Sequence, residues 1–116
     1  MRVLYVDDHT PFRAVVQRRF LIGHEVVGAA DLAEARQRLK EGDFDVILVD
    51  YQLSDGLGED LIREIVDTKL RSKVVAVSAN AENNSRLMEA GAIGAVSKNE
   101  FSKLAEKLET ILGAKT

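Results

Sequence analysis

A small set of polar residues stands directly behind short apolar runs, and their types suit one kind of chemistry. Asp7 and Asp8 follow Val3-Leu4-Tyr5-Val6, and Asp50 follows Val46-Ile47-Leu48-Val49. Ser78 follows Val74-Val75-Ala76-Val77, and Ser97 and Lys98 follow Ile93-Gly94-Ala95-Val96. Three ionised carboxylates sharing a crevice repel one another, by roughly 4 kcal/mol for a pair about 4 Å apart at an effective dielectric of 20. A divalent cation together with Lys98 would neutralise them. The chain has no cysteine and two histidines, so all-oxygen ligation favours Mg²⁺ over zinc. Mg²⁺ takes few carboxylates, keeps several waters and expects phosphate oxygens. An aspartate can itself accept a phosphoryl group, as an aspartyl-phosphate. The Lys98 ammonium and the Ser78 hydroxyl suit the incoming oxygens. Taken singly, each residue has a plainer reading: Asp and Ser cap helices and turns, and a lone Lys is a solvated loop charge. The set carries the inference.

These residues meet only if the runs behind them are neighbouring strands. Short, β-branched runs bounded by polar residues read as strands buried on both faces. Val26-Val27-Gly28-Ala29 and Ile93-Gly94-Ala95-Val96 are weaker candidates. Helical patterns alternate with them. Thr10 is placed to cap a helix with Pro11 at its first position and Phe12, Val15, Val16 and Phe20 on one face. Asp31 and Glu34 have the form of a capping box, followed by Leu32, Ala35 and Leu39. Leu61, Ile62, Ile65 and Val66 make a third apolar face. A fourth helix around Glu82 to Ala90 is weak, because Asn83-Asn84-Ser85 are poor helix formers. Leu104, Ala105, Leu108, Ile111 and Leu112 make a clear fifth. The alternation predicts an α/β fold, (βα)₅, with a parallel, doubly wound sheet. In such sheets ligands bind beyond the carboxyl ends of the strands, where these polar residues fall.

Composition bounds the rest. At 116 residues the chain suits one domain over 1–116. Sixteen basic against nineteen acidic side chains leave a net charge of −3, which speaks against direct nucleic-acid binding. No apolar run approaches a membrane span, and the first residues do not form a signal peptide, so a cytoplasmic location is expected.

The chain closely resembles the receiver domain of two-component response regulators over nearly its whole length. Val6-Asp7-Asp8 resembles the acidic pair, and Val49-Asp50-Tyr51-Gln52-Leu53 with Gly58 resembles the phosphorylation segment. Val77-Ser78-Ala79 resembles the hydroxyl segment, and Glu89-Ala90-Gly91-Ala92 with Ser97-Lys98 the lysine segment. The resemblance implies a flavodoxin-like fold with strand order 2-1-3-4-5. It implies that Asp50 takes phosphate from a phosphohistidine on a sensor histidine kinase or phosphotransfer protein, and that water later removes it. Asp8, Asp50 and the Gln52 carbonyl would ligate Mg²⁺, with Asp7 acting mainly through water, while Ser78 and Lys98 would bind phosphoryl oxygens. Such a chain is a signalling domain rather than an enzyme, and its output protein is unknown. Three positions depart from the family pattern. Ser54 stands where proline is frequent, and Asn99 stands where a proline, commonly cis, follows the lysine. Ala95 replaces the aromatic that often serves as a rotameric switch.

Other residues have plainer readings. His9 reads as a loop residue ahead of the Thr10 cap, His24 and Arg18-Arg19 as surface, Tyr5 as core, and Gly56 and Gly58 as turn glycines. Two other functions compete. One is a pseudo-receiver that acts as a phosphorylation-independent interaction module, suggested by Ala95 and Asn99. The other is a hydrolase with an aspartyl-phosphate intermediate, against which stands the lack of Asp-x-Asp after the first run.

Overall fold

The structure, a computed structural model, describes residues 1–19, 23–68, 72–103, 106–107 and 109–110. Its elements in chain order are β1 (Arg2–Val6), α1 (Thr10–Arg19), β2 (Glu25–Ala29), α2 (Leu32–Glu41) and β3 (Val46–Val49). Two short strands, β4 (Gln52–Leu53) and β5 (Gly56–Leu57), precede α3 (Gly58–Asp67). Then come β6 (Lys73–Ser78), α4 (Ala81–Ala90), β7 (Gly94–Ser97) and a 3₁₀ segment (Lys98–Lys103).

Five strands form one parallel sheet in the order β2-β1-β3-β6-β7. Counted along the sheet alone, this is the expected order 2-1-3-4-5, and the fold is flavodoxin-like. β4 and β5 form a separate antiparallel hairpin, Gln52 against Leu57 and Leu53 against Gly56. Strands of two residues are too short to leave a periodic trace in the sequence, and the sequence did not announce this hairpin.

Because side chains alternate across a strand, each central strand serves two cores. Leu4 and Val6 of β1, Ile47 and Val49 of β3, and Val74 and Ala76 of β6 pack with Leu32 and Ala35 of α2, Leu61, Ile62 and Ile65 of α3, and Leu87 of α4. On the opposite face Val3, Tyr5, Val46, Leu48, Val75, Val77 and Val96 pack with Val16 of α1, and Phe12 joins them. Val66, expected on the inward stripe of α3, is 50% exposed.

The helix starts show where local reading held. Asp31 accepts from the Glu34 N–H at 2.8 Å, as expected of a capping box, while the Glu34 carboxylate reaches the Ala30 N–H at 2.8 Å. At α1 the cap is His9 and not Thr10. His9 Nδ1 accepts from the Phe12 N–H at 3.1 Å, and its carbonyl accepts from the Arg13 N–H. Pro11 is therefore the second helical residue and not the first, still within the first turn, where a missing N–H costs nothing. α4 forms over Ala81–Ala90 despite its composition. Asn80 caps it by accepting from the Asn83 N–H at 3.0 Å, Leu87 and Ala90 bury its inner face, and Asn84 turns inward. The segment after β7 begins as a 3₁₀ turn that departs from helical geometry at Glu100. Most of the expected fifth helix (Leu104, Ala105, Leu108, Ile111, Leu112) and Phe20 of the first lie outside the described residues.

Candidate functional site

β1 and β3 are adjacent, and the chain leaves β1 toward β2 on one side and returns to β3 on the other. That reversal opens a crevice at the carboxyl ends of β1 and β3. Asp7 and Asp8 leave β1 there, and Asp50 leaves β3. The Asp50 N–H bonds to the Val6 carbonyl at 2.9 Å, which levels the two strand ends. One oxygen from each of Asp7, Asp8 and Asp50 lies within 4.8 Å of the others. Asp7 is fully buried, Asp50 nearly so, and Asp8 exposed.

Lys98, just past β7, spans the group. Its ammonium lies 2.8 Å from Asp7 Oδ2 and 2.9 Å from Asp50 Oδ2, with its side chain 18% exposed. It also lies 4.9 Å from the centre of the Phe12 ring. The other oxygens are held by main chain: Asp7 Oδ1 accepts from the His9 N–H at 2.9 Å, and Asp50 Oδ1 from the Tyr51 N–H at 2.8 Å. The Tyr5 hydroxyl donates to Asp7 Oδ2 at 3.3 Å from beneath.

Burial raises the Asp50 carboxyl above its ordinary value; the Lys98 hydrogen bond pulls it back in part, and the charge of Asp7 adds to the rise. For Lys98, burial would lower the ammonium, but its hydrogen bonds to Asp7 and Asp50 outweigh it, and the group sits above the usual lysine value. The Tyr5 phenol is pushed far up by burial and by the charges of Asp7 and Asp50.

Ser78, at the end of β6, and the hairpin residue Gln52 line the same cleft of about 550 Å³ as Asp8, Asp50 and Lys98. Ser78 Oγ accepts from the Asn80 N–H at 3.3 Å. Asp7, Asp8, Asp50, Gln52, Ser78 and Lys98 therefore gather at one edge of the sheet. Among the described residues the three carboxylates offer oxygen ligands with no sulfur or imidazole in the group, a donor set that fits a hard divalent cation such as Mg²⁺.

The hairpin that carries Gln52 is docked from two sides. Asp55 accepts from the Leu32 N–H at 2.8 Å and from the Ala33 N–H at 3.0 Å, so it caps α2 from outside. Gly58 permits the other contact: a Cβ there would lie 2.0 Å from the Asp50 carbonyl oxygen and 2.8 Å from Val49 Cγ1. Gly58 is thus a close-approach glycine against the end of β3. Tyr51 donates its hydroxyl to Glu59 at 2.9 Å. That bond raises the Tyr51 phenol and lowers the Glu59 carboxyl.

Sequence reasoning missed the roles of Tyr5, Asp55, Tyr51 and Asn84. Asp55 had no local signal, because its partners are main-chain groups of α2, far away in sequence. Asn84 did have one: it falls on the stripe of Leu87 and Ala90, where an apolar residue would be expected.

Comparison with known proteins agrees with this geometry. A family model described as the response regulator receiver domain matches residues 3–109. Chemotaxis protein CheY-3 of Vibrio cholerae is 30% identical over 96% of this chain and 91% of its own length. The response regulator TrrA of Thermotoga maritima, solved with Mg²⁺ and a beryllium fluoride, superposes with a TM-score of 0.84 at 26% identity, covering 96% of this chain and 98% of that one. The receiver domain of the putative regulator NarL of Mycobacterium tuberculosis gives 0.82 at 28% identity, covering 97% and 96%.

Proposed function

The chain belongs to the response regulator receiver domain family, and on that premise we propose that residues 1–116 form one receiver that accepts a phosphoryl group on Asp50 with the help of Mg²⁺. The observation that carries this reading is the convergence on Asp50. A buried carboxylate at the end of β3 has an ammonium at 2.9 Å, two further carboxylates within 4.8 Å, and an open cleft with a hydroxyl on its far side.

In the proposed step an Asp50 carboxylate oxygen attacks the phosphorus of a phosphohistidine on a sensor kinase or phosphotransfer protein. The P–N bond breaks, the imidazole takes the electron pair and a proton, and Asp50 becomes an acyl phosphate. Mg²⁺, held by Asp8, Asp50 and the Gln52 carbonyl with Asp7 acting through water, would offset the charge of the phosphoryl oxygens. Lys98 is already beside Asp50 and supplies the second positive charge. Ser78 faces the same cleft and would donate its hydroxyl to a phosphoryl oxygen. Return to the starting state is attack by water at phosphorus, releasing inorganic phosphate and the Asp50 carboxylate. The chain is a signalling domain, and the phosphoryl group changes which partner it binds.

The test is phosphorylation by acetyl phosphate with Mg²⁺, followed by intact mass. The wild-type chain should gain one phosphoryl group and Asp50→Asn none, because an amide is a far poorer nucleophile. Equal incorporation by the variant would move the acceptor elsewhere.

A further inference from the structure

Asn84 is a buried polar residue in a stripe of apolar ones. It is 9% exposed and shares the inner face of α4 with Leu87 and Ala90. Its Nδ2 donates to the Ser78 carbonyl at 3.1 Å and to the Val96 carbonyl at 3.4 Å. Ser78 ends β6 and Val96 is the penultimate residue of the neighbouring β7, with Val77 opposite Val96 and Ser78 opposite Ser97 in their register. One side-chain amide therefore bridges the strand ends that present the Ser78 hydroxyl and lead into Lys98. Its Oδ1 is buried and has no hydrogen-bond partner among the described residues. A buried amide oxygen left unpaired is costly, and a leucine of similar size would avoid that cost. Packing alone does not account for an asparagine here.

We propose that Asn84 is a positioning residue for the phosphoryl-binding edge. It holds the ends of β6 and β7 at a fixed spacing, so that Ser78 and Lys98 address the same phosphoryl group. It also ties α4 to any displacement of Ser78. The inference rests on Asp50 as acceptor, with Ser78 and Lys98 as phosphoryl contacts. Ala95 adds weight: β7 has no bulky side chain at that position to transmit a change by packing, whereas Asn84 offers a direct polar link from Ser78 to α4.

The test compares the wild-type chain with Asn84→Leu and Asn84→Ala by amide NMR. Each is titrated first with Mg²⁺ alone and then, at saturating Mg²⁺, with beryllofluoride. Both variants should bind Mg²⁺ within about twofold of wild type, since no group of the carboxylate cluster changes. They should bind beryllofluoride about fivefold more weakly, the scale of one lost neutral hydrogen bond. In the wild type, amides of residues 83–88 should shift together with Ser78; in the variants that coupled shift should disappear. If the leucine variant fails to fold, the alanine variant, which favours the helix, decides. A folded variant with unchanged beryllofluoride affinity and intact α4 shifts overturns the proposal. So does an equal loss of Mg²⁺ and beryllofluoride affinity, which would mark general loosening. Failure of the wild-type chain itself to bind beryllofluoride while binding Mg²⁺ would overturn the acceptor reading and this proposal with it.

Discussion

On one wall of the cleft Asp50 and Lys98, with the fully buried Asp7 bonded to Lys98, are held by charge. Their ion pairs and main-chain hydrogen bonds are 2.8–2.9 Å long. On the other wall Ser78 and Asn80 are neutral, Asn84 and Asn99 donate to the Ser78 and Ala79 carbonyls, and the side-chain bonds of this wall are 3.0–3.4 Å long. Charge-assisted hydrogen bonds are shorter and roughly twice as strong as neutral ones. The first wall is therefore fixed and the second easily displaced. A group that adds negative charge between them would leave Asp50 in place and draw the hydroxyl wall toward it.

Removing Lys98 should break this contrast most severely. Lys98→Met leaves Asp7 and Asp50 buried without the cation they share. Metal-free stability in urea should fall by about 3 kcal/mol, the low end for a broken buried pair because the cluster opens onto the cleft. Mg²⁺ should recover part of that loss. A drop below about 1 kcal/mol would put Lys98 on a par with an exposed surface pair and dissolve the distinction between the walls.

Asp8→Ala tests the same wall from its exposed end, with a smaller effect on the fold. Losing one of three mutually repelling carboxylates relieves the metal-free protein. Its stability should stay within about 0.5 kcal/mol of wild type or rise slightly. Mg²⁺ affinity, measured calorimetrically, should fall at least about tenfold, since even residues that only orient a ligand are worth that much. A clear loss of metal-free stability would make Asp8 structural instead.

The smallest effect belongs to the hairpin that carries Gln52. The N–H groups of Leu32 and Ala33 hold the Asp55 carboxyl below its ordinary value, the Leu32 bond leading. A carboxyl lowered by folding stabilises the protein above its unfolded value, about 3.9, and loses that contribution as pH falls through the folded value. The stability difference between wild type and Asp55→Asn should thus be constant near neutrality and shrink below about pH 4. An unchanging difference would mean that Asp55 acts by shape alone. The neutral wall offers no such titration, so wild type and Asn84→Leu should differ equally at both ends of this range.

The sequence was most legible where one strong physical signal acted alone. β1, β3 and β6 are buried on both faces, so their apolar runs stood out, and the polar residues behind them located the cleft. The box at Asp31 and Glu34 is local and was read correctly. Legibility failed where partners are distant or compete. His9 and Thr10 both offer a cap acceptor, and only the approach of the chain from β1 selects His9. The weak composition of α4 concealed that Asn80 caps it and Asn84 bonds inward. Gly58 was read as a turn glycine, but the reason for it, the Asp50 carbonyl pressed against it, exists only once α3 has packed.

The residues of the cleft come from four strand ends, and the Lys98 contact to Asp50 joins residues 48 apart. Contacts of such long range are among the last a folding chain can close, because the loop entropy between them must be overcome first. A chain arrested before β7 docks already holds Asp50 at the end of a strand, yet it has neither the ammonium nor the amide bridge between Ser78 and Val96. On the proposed function, readiness for phosphoryl chemistry thus depends on β7, and a molecule in which β7 is undocked should be silent rather than wrongly active.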